Sequence, residues 1–441
     1  MGKLIAALLV SAGLLLAAVP VALAASAGFG TPTATATFGK EIVFTQPVTL
    51  GEAIGSAEIL VTFPGSAGPT VFEVPAPPGT GATELRYTFD IATDGHVAPN
   101  TRLTARWRLY PVAAPKAAIV SPPVSILYAD DRFTWQTETG SLVRVHWYQG
   151  DAAFGARALK IGEDAVESAS KLLGVTETEP IDFFVYADQS AFYDALGPGT
   201  RENVGGQANT EIRTMFALVT PDEIDQSWVG IVIPHELTHL VFDTAVSNPY
   251  HFPPRWLNEG LAVYESQGYV PSDQATVKAA AASGDLMPLG SLTGQFPTTY
   301  DRFGLAYAES VASVDYLVRT YGQDALVSLI KSYATGLTDD EAFTRALGVD
   351  ATAFGDAWLA SVGAVAPTRY GPVTAAPAPS LVAGAAPGST APGSTTPGST
   401  GTSASDTGVD SVVLAAIAIS ITGIAVVGLY ARRRRQDSAG T

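Results

Sequence analysis

The run Ile231-Val232-Ile233-Pro234-His235-Glu236-Leu237-Thr238-His239-Leu240 constrains this chain more than any other stretch. Val229, Ile231, Ile233, Leu237, Leu240 and Phe242 give it the apolar pattern of a buried helix. On such a helix His235 and His239, four apart, project from one face. That is the spacing at which two neutral ring nitrogens share a tetrahedral zinc ion. Glu236 lies beside the first histidine, where a carboxylate reaches a water at the metal without binding the metal itself. Zinc lowers the pKa of such a water to about 7, and the carboxylate takes its proton as the water attacks a carbonyl.

Downstream, Trp256-Leu257-Asn258-Glu259-Gly260 opens a second helical pattern after a short excursion. Glu259 can supply a third ligand from this neighbouring helix. Two histidines and one glutamate leave a fourth position open, as in catalytic and not in closed structural zinc sites. A His-Glu-x-x-His helix followed by a Trp-Leu-Asn-Glu-Gly helix resembles the gluzincin metallopeptidases, and most closely their peptidase MA-like group. The resemblance spans about residues 129–365. It implies that His235, His239 and Glu259 bind one Zn2+, that Glu236 is the general base, and that the substrate is a peptide or protein.

Two departures qualify it. Gluzincin aminopeptidases carry a Gly-x-Met-Glu-Asn stretch that holds the substrate's free amine, and no Met of this chain sits in one. An endopeptidase is therefore expected ahead of an aminopeptidase. Thermolysin-like enzymes have an Asp four residues after the ligand Glu, where this chain has Val263. The partner that orients the first histidine is thus not visible in the sequence. Two further assignments rest on the resemblance. Leu305-Ala306-Tyr307-Ala308-Glu309-Ser310 is similar to a stretch that follows the ligand Glu in this group, which would let Tyr307 present its hydroxyl to an oxyanion. The segment from Gly206 through Gln207 and Ala208 to Thr210 stands where gluzincins pair with an extended substrate. For Tyr307 a core tyrosine is the plainer reading; for the segment an ordinary turn before a strand reads equally well.

The rest of the chain frames this segment. Its 441 residues suffice for two or three domains. It has no cysteine, which excludes disulfides and thiol chemistry and leaves His and carboxylates as metal ligands. A net charge of −17 argues against nucleic-acid binding. Residues 1–25 read as a secretory signal: Lys3, an apolar run, then Ala22-Leu23-Ala24. Residues 27–128 hold short strands between Pro, Gly, Asn and Asp, and suggest an all-β sandwich of immunoglobulin-like type. The resemblance implies that residues 129–365 form an α+β, zincin-like domain. It is expected to open on a hairpin, Phe133–Gln136 with Leu142–Tyr148, and to end in a run of helices. His146 on that hairpin reads as structural, and His251 as a loop residue.

Residues 370–408 are rich in Ala, Pro, Gly, Ser and Thr, with Pro-Gly-Ser-Thr recurring at Pro387, Pro392 and Pro397. Such a stalk does not bury enough apolar surface to order itself. Ser411 to Tyr430 is uncharged and long enough for one transmembrane helix, and Arg432 to Arg435 follow in a basic tail over 431–441. The expected protein is an outward-facing, membrane-anchored zinc metallopeptidase. The contrasting reading is a non-catalytic adhesion or binding ectodomain that keeps a zinc site. Oligomeric state is not legible.

Overall fold

The structure, a computed structural model, describes residues 27–198, 205–246, 248 and 252–368. The expected signal, stalk, transmembrane span and basic tail lie outside the described residues. Among the described residues no helix is long and apolar enough to cross a membrane. The chain divides into two compact units. One runs to Thr134 and includes Tyr193–Pro198; the other comprises Trp135–Phe192 and the chain from Gly199 on.

The first unit is built from antiparallel strands. One sheet joins β1 (Ala27–Phe29), β2 (Thr33–Thr37) and β3 (Glu41–Leu50), with β6 (Gly81–Asp90) also paired to β3. The other orders β5 (Thr70–Val74), β4 (Ile54–Thr62), β7 (Thr101–Pro111) and β8 (Ile119–Val120), with β9 (Val124–Tyr128) also on β7. Alternation decides which face is dry. In β7, Leu103, Ala105, Trp107 and Leu109 are buried while Arg102 and Arg106 are exposed. Phe72 of β5 meets Phe89 of β6 edge-on at 5.9 Å, so aromatic contacts link the two sheets.

The second unit is α+β. Its five-stranded sheet has the order β10 (Gln136–Thr139), β11 (Val143–Trp147), β12 (Ile181–Tyr186), β14 (Thr214–Leu218), β13 (Gly206–Asn209). The middle strands run parallel, and β10 and β13 are antiparallel to their neighbours. The expected hairpin therefore exists, but its first strand is Gln136–Thr139 and not Phe133–Gln136. Trp135 stands edge-on to Tyr148, Phe184 and Tyr186 at 5.1–5.2 Å, covering a face of the sheet. His146 lies on that face, stacked on Phe184 at 4.3 Å and hydrogen-bonded to Asp182 at 2.9 Å, a structural residue as expected.

Helix α1 (Ala152–Leu173) starts at Asp151, whose side chain accepts the Phe154 N–H at 2.9 Å. α2 (Gln189–Leu196) follows β12. α3 (Val229–Val246) carries the His-Glu-x-x-His run and is buried almost throughout. It begins five residues before Pro234. The backbone bond this proline removes would have ended on the carbonyl of Gly230, in the first turn, where that residue is exposed to solvent. Then come α4 (Arg255–Gln267), α5 (Pro271–Ser283), a 3-10 turn at Leu289–Leu292, α6 (Tyr300–Tyr321), α7 (Gln323–Tyr333), α8 (Asp339–Leu347) and α9 (Ala351–Ser361). One core joins Val145, Phe183 and Met215 of the sheet to Ile233 and Leu237 of α3, Leu257 and Leu261 of α4, and Val311 and Val314 of α6.

Candidate metal centre

Helix α3 is buried over most of its length, so the polar groups in its middle need partners inside the protein. His235, Glu236 and His239 are all buried. The two imidazoles meet edge-on, with their Nε2 atoms 3.4 Å apart. Glu259 reaches the same point from α4: its Oε2 lies 3.6 Å from His239 Nε2 and 3.8 Å from His235 Nε2. Each of the three residues offers a ligand atom within 4.8 Å of the others.

Tautomers are set from behind. His239 Nδ1 donates to Asn258 Oδ1 at 2.9 Å, which turns an Nε2 lone pair toward Glu259. His235 is bonded to the backbone of Ala262. This is the partner missing from the sequence: a carbonyl of α4 next to the position where thermolysin-like enzymes place an Asp. Burial, and then the neighbouring His239, hold His235 well below the ordinary imidazole range, so it is neutral.

Whether the set fits a metal is decided by one atom. Glu259 Oε2 is buried and has no hydrogen-bond partner, although it faces two imidazole nitrogens. A buried carboxylate oxygen left so is costly. A cation among the three atoms would satisfy all of them, and two neutral imidazoles with one carboxylate are the donor set of open zinc sites. The residues fit one Zn2+.

Glu236 is not one of this trio. Its Oε2 accepts the Ala208 N–H at 3.0 Å. Ala208 lies on β13, the outer strand of the sheet, whose ladder to β14 leaves this N–H pointing off the edge. β13 comes this close because Gly206 has no side chain: a Cβ there would sit 2.9 Å from Glu236 Cγ and from Val232 Cγ1. The structure therefore brings Gly206, Gln207 and Ala208 beside Glu236, and makes their segment a strand and not a turn.

Tyr307 of α6 is a core aromatic at one end, edge-on to Phe296 and Phe303 at 5.3 Å each. At the other end its hydroxyl interacts with Glu259 and Arg255. Burial, and then the Glu259 charge, raise its pKa well above the ordinary phenol value, with Arg255 opposing. The structure thus brings Tyr307 into contact with Glu259. Arg255, which contacts Glu259 directly, was not singled out from the sequence, although its position four residues before Glu259 on one helix is a readable signal. His251 lies outside the described residues.

Helices α4 and α6 must nearly touch for Glu259 and Tyr307 to meet. Gly260 permits this: a Cβ there would lie 2.4 Å from the Ser310 carbonyl oxygen. That obstacle is backbone and does not rotate aside. Gly260→Ala is expected to destabilise the protein by about 1–3 kcal/mol through overpacking. It should also weaken zinc binding, because the wedge sits next to a ligand. Urea unfolding of the metal-free protein and a chelator competition measure the two effects separately.

Among known proteins, residues 161–364 match the family model of the Peptidase MA superfamily. No curated protein matches the sequence. Among solved structures, an M1 zinc metallopeptidase from Deinococcus radiodurans is similar at 15% identity, with a TM-score of 0.34, covering 73% of this chain and 90% of that one. A mutant of that metallopeptidase bound to a Tyr-Ser-Ala substrate matches at 16% identity and a TM-score of 0.36, covering 76% and 93%. An aminopeptidase N family protein from Idiomarina loihiensis matches at 10% identity and 0.37, covering 73% and 71%. At such scores the structural likeness carries no argument about function. The family match does, because α3, α4 and Tyr307 all fall within it. Over that segment the chain is similar to the Peptidase MA superfamily, and the match together with the His235, His239 and Glu259 cluster supports a zinc metallopeptidase of the gluzincin, peptidase MA-like type.

Proposed function

We propose that this protein is an endopeptidase. In this reading His235, His239 and Glu259 hold the zinc, and Glu236 is the general base. The observation that carries it is the unpartnered Glu259 Oε2 facing two Nε2 atoms, with a second buried carboxylate, Glu236, on the same helix turn as the histidines. Zinc bound there supplies Lewis acidity, polarising a carbonyl and bringing a water's pKa to about 7. The protein's own groups do the rest. Glu236 takes the proton from the attacking water and returns it to the leaving amine. The Ala208 N–H keeps that carboxylate in place until substrate arrives. Tyr307 directs a hydroxyl toward the oxygen that gains charge.

Gly206, Gln207 and Ala208 lie on a sheet edge, and an extended peptide can add to such an edge as a further strand. The strand Gly206-Gln207-Ala208-Asn209 carries no carboxylate to hold a free amine. That favours cleavage within a chain over removal of its first residue. The N-terminal unit is taken as an immunoglobulin-like spacer. The signal, Pro/Gly/Ser/Thr-rich stalk and C-terminal apolar segment in the sequence support an anchored, outward-facing enzyme that acts on a peptide or protein substrate.

Two measurements test the reading. Incubation of the zinc-loaded chain with a peptide library should yield cleavage at internal bonds. Zinc bound without any cleavage would instead favour a binding ectodomain. Glu259→Ala should abolish stoichiometric zinc by atomic absorption, since two imidazoles alone make an incomplete site. Full occupancy in that variant removes Glu259 from the ligand set.

A further inference from the structure

We infer that Arg255 is a positioning residue that divides the two oxygens of Glu259, reserving one for the metal, and that aims the Tyr307 hydroxyl. This rests on the reading of His235, His239 and Glu259 as the zinc site, and adds to it how the site keeps an open position. Arg255 is the first residue of α4, one turn before Glu259. Its Nη2 lies 3.0 Å and its Nε 3.1 Å from the same oxygen, Glu259 Oε1. Two donors on one oxygen satisfy that oxygen and fix the carboxylate plane. The other oxygen, Oε2, receives none and faces the histidines. The fork therefore favours one carboxylate oxygen at the metal, not two.

Denticity decides the chemistry here. If both oxygens of Glu259 coordinated with the two imidazoles, they would fill the coordination that a water and a substrate carbonyl must share. With Oε1 held by Arg255, that position stays open. The guanidinium is itself braced. It lies over the Phe296 ring at 4.9 Å, and the Arg255 backbone N–H donates to the Thr293 carbonyl at 2.9 Å. Its side chain is 21% exposed, so the pair is shielded from the screening that weakens surface ion pairs.

The same guanidinium bonds to Tyr307. Arginine has donors only, so at the phenol it donates to the oxygen. The phenol's own proton is then directed to an acceptor. Glu259 is that acceptor in the structure, and an oxyanion can replace it during turnover. A lysine could not do this. It lacks the planar fork, and its single nitrogen cannot take the Nε and Nη positions together.

The test compares the full chain with Arg255→Met, which keeps much of the volume without donors, and Arg255→Lys, which keeps the charge. Three readouts are taken: zinc affinity by chelator competition, the visible spectrum of the cobalt(II)-substituted protein, and kcat and KM on a cleaved peptide. Arg255→Met is expected to lose about 10- to 100-fold in zinc affinity or kcat, as when other partners of metal ligands are removed. Its cobalt bands should weaken as Glu259 turns to bind through both oxygens. KM should stay within about threefold, since the loss falls on the transition state. Added guanidinium ion should restore part of the activity of Arg255→Met. Arg255→Lys, the variant better able to fold, should show a changed cobalt spectrum and a reduced kcat.

The inference is overturned if either folded variant binds zinc as tightly as the parent, with the same cobalt spectrum and turnover. It is overturned too if only the melting temperature of the metal-free protein falls, because that is what a purely structural ion pair would do. A parent chain that binds neither metal sinks the zinc reading itself, a distinct result that is read before any variant is made.

Discussion

Glu236→Gln is expected to keep its zinc and to lose turnover by a factor of about 10²–10⁴, the usual contribution of a positioned general base. The substitution isolates one property. Glutamine has nearly the volume of glutamate, and its amide oxygen can still accept the Ala208 N–H that Glu236 Oε2 accepts at 3.0 Å. The close contact between β13 and α3 at Gly206 should therefore survive. The zinc ligands are untouched, because Glu236 is not among the three residues that converge. What is lost is the capacity to take a proton. Glu236→Ala is a poorer probe, since it also strands a buried N–H at a cost of about 1–3 kcal/mol. Zinc stoichiometry, unfolding midpoint and kcat measured together make the result decisive. A Gln variant that turns over at the parent rate would falsify the base assignment, and one that loses its metal would show that Glu236 helps to bind it.

The features legible in the sequence were those in which side-chain spacing carries the information. His235 and His239 announce themselves because a period of 3.6 residues puts positions four apart on one face. Helix α1 is bounded by residues whose identity carries the signal, Asp151 as its cap and Gly174 as its stop. Misreadings arose where tertiary context outweighed local preference. Phe133-Thr134-Trp135-Gln136 reads as a strand by composition, yet Trp135 packs its ring against three aromatics and the ladder starts one residue later. Gly206-Gln207-Ala208-Asn209 has poor strand propensity and reads equally as a turn. Pairing with β14 and the bond from Ala208 to Glu236 make it a strand.

Within the site, Glu259 was legible from its motif, and Arg255 could have been found from its spacing. The Ala262 carbonyl could not. A backbone acceptor leaves no mark on residue identity, and Val263, where an Asp was the familiar alternative, pointed away from it.

The largest expected effect on stability concerns a carboxyl that binds no metal. Glu309 on α6 is fully buried, and both its oxygens face the Met287 N–H, at 3.0 and 3.2 Å. Burial pushes its pKa up to about 8, against the opposing pull of that N–H and of Arg302. The folded protein thus holds a proton that the unfolded chain releases near the ordinary carboxylate value. Stability from this group is fully present at acid pH, below the unfolded value, declines as pH rises between the two, and is lost above about 8. A shift of this size corresponds to roughly 3–5 kcal/mol across that interval.

Glu309→Gln removes the titration but keeps an oxygen for Met287. The variant should match the parent near pH 5 and exceed it at pH 9, with the difference growing steadily between. Urea unfolding of both proteins in the presence of a chelator measures this without the separate pH dependence of zinc binding. If the two curves run parallel from pH 5 to pH 9, Glu309 does not hold the extra proton. Should the variant instead be weaker at every pH, the protonated acid would be making a hydrogen bond that the amide cannot replace.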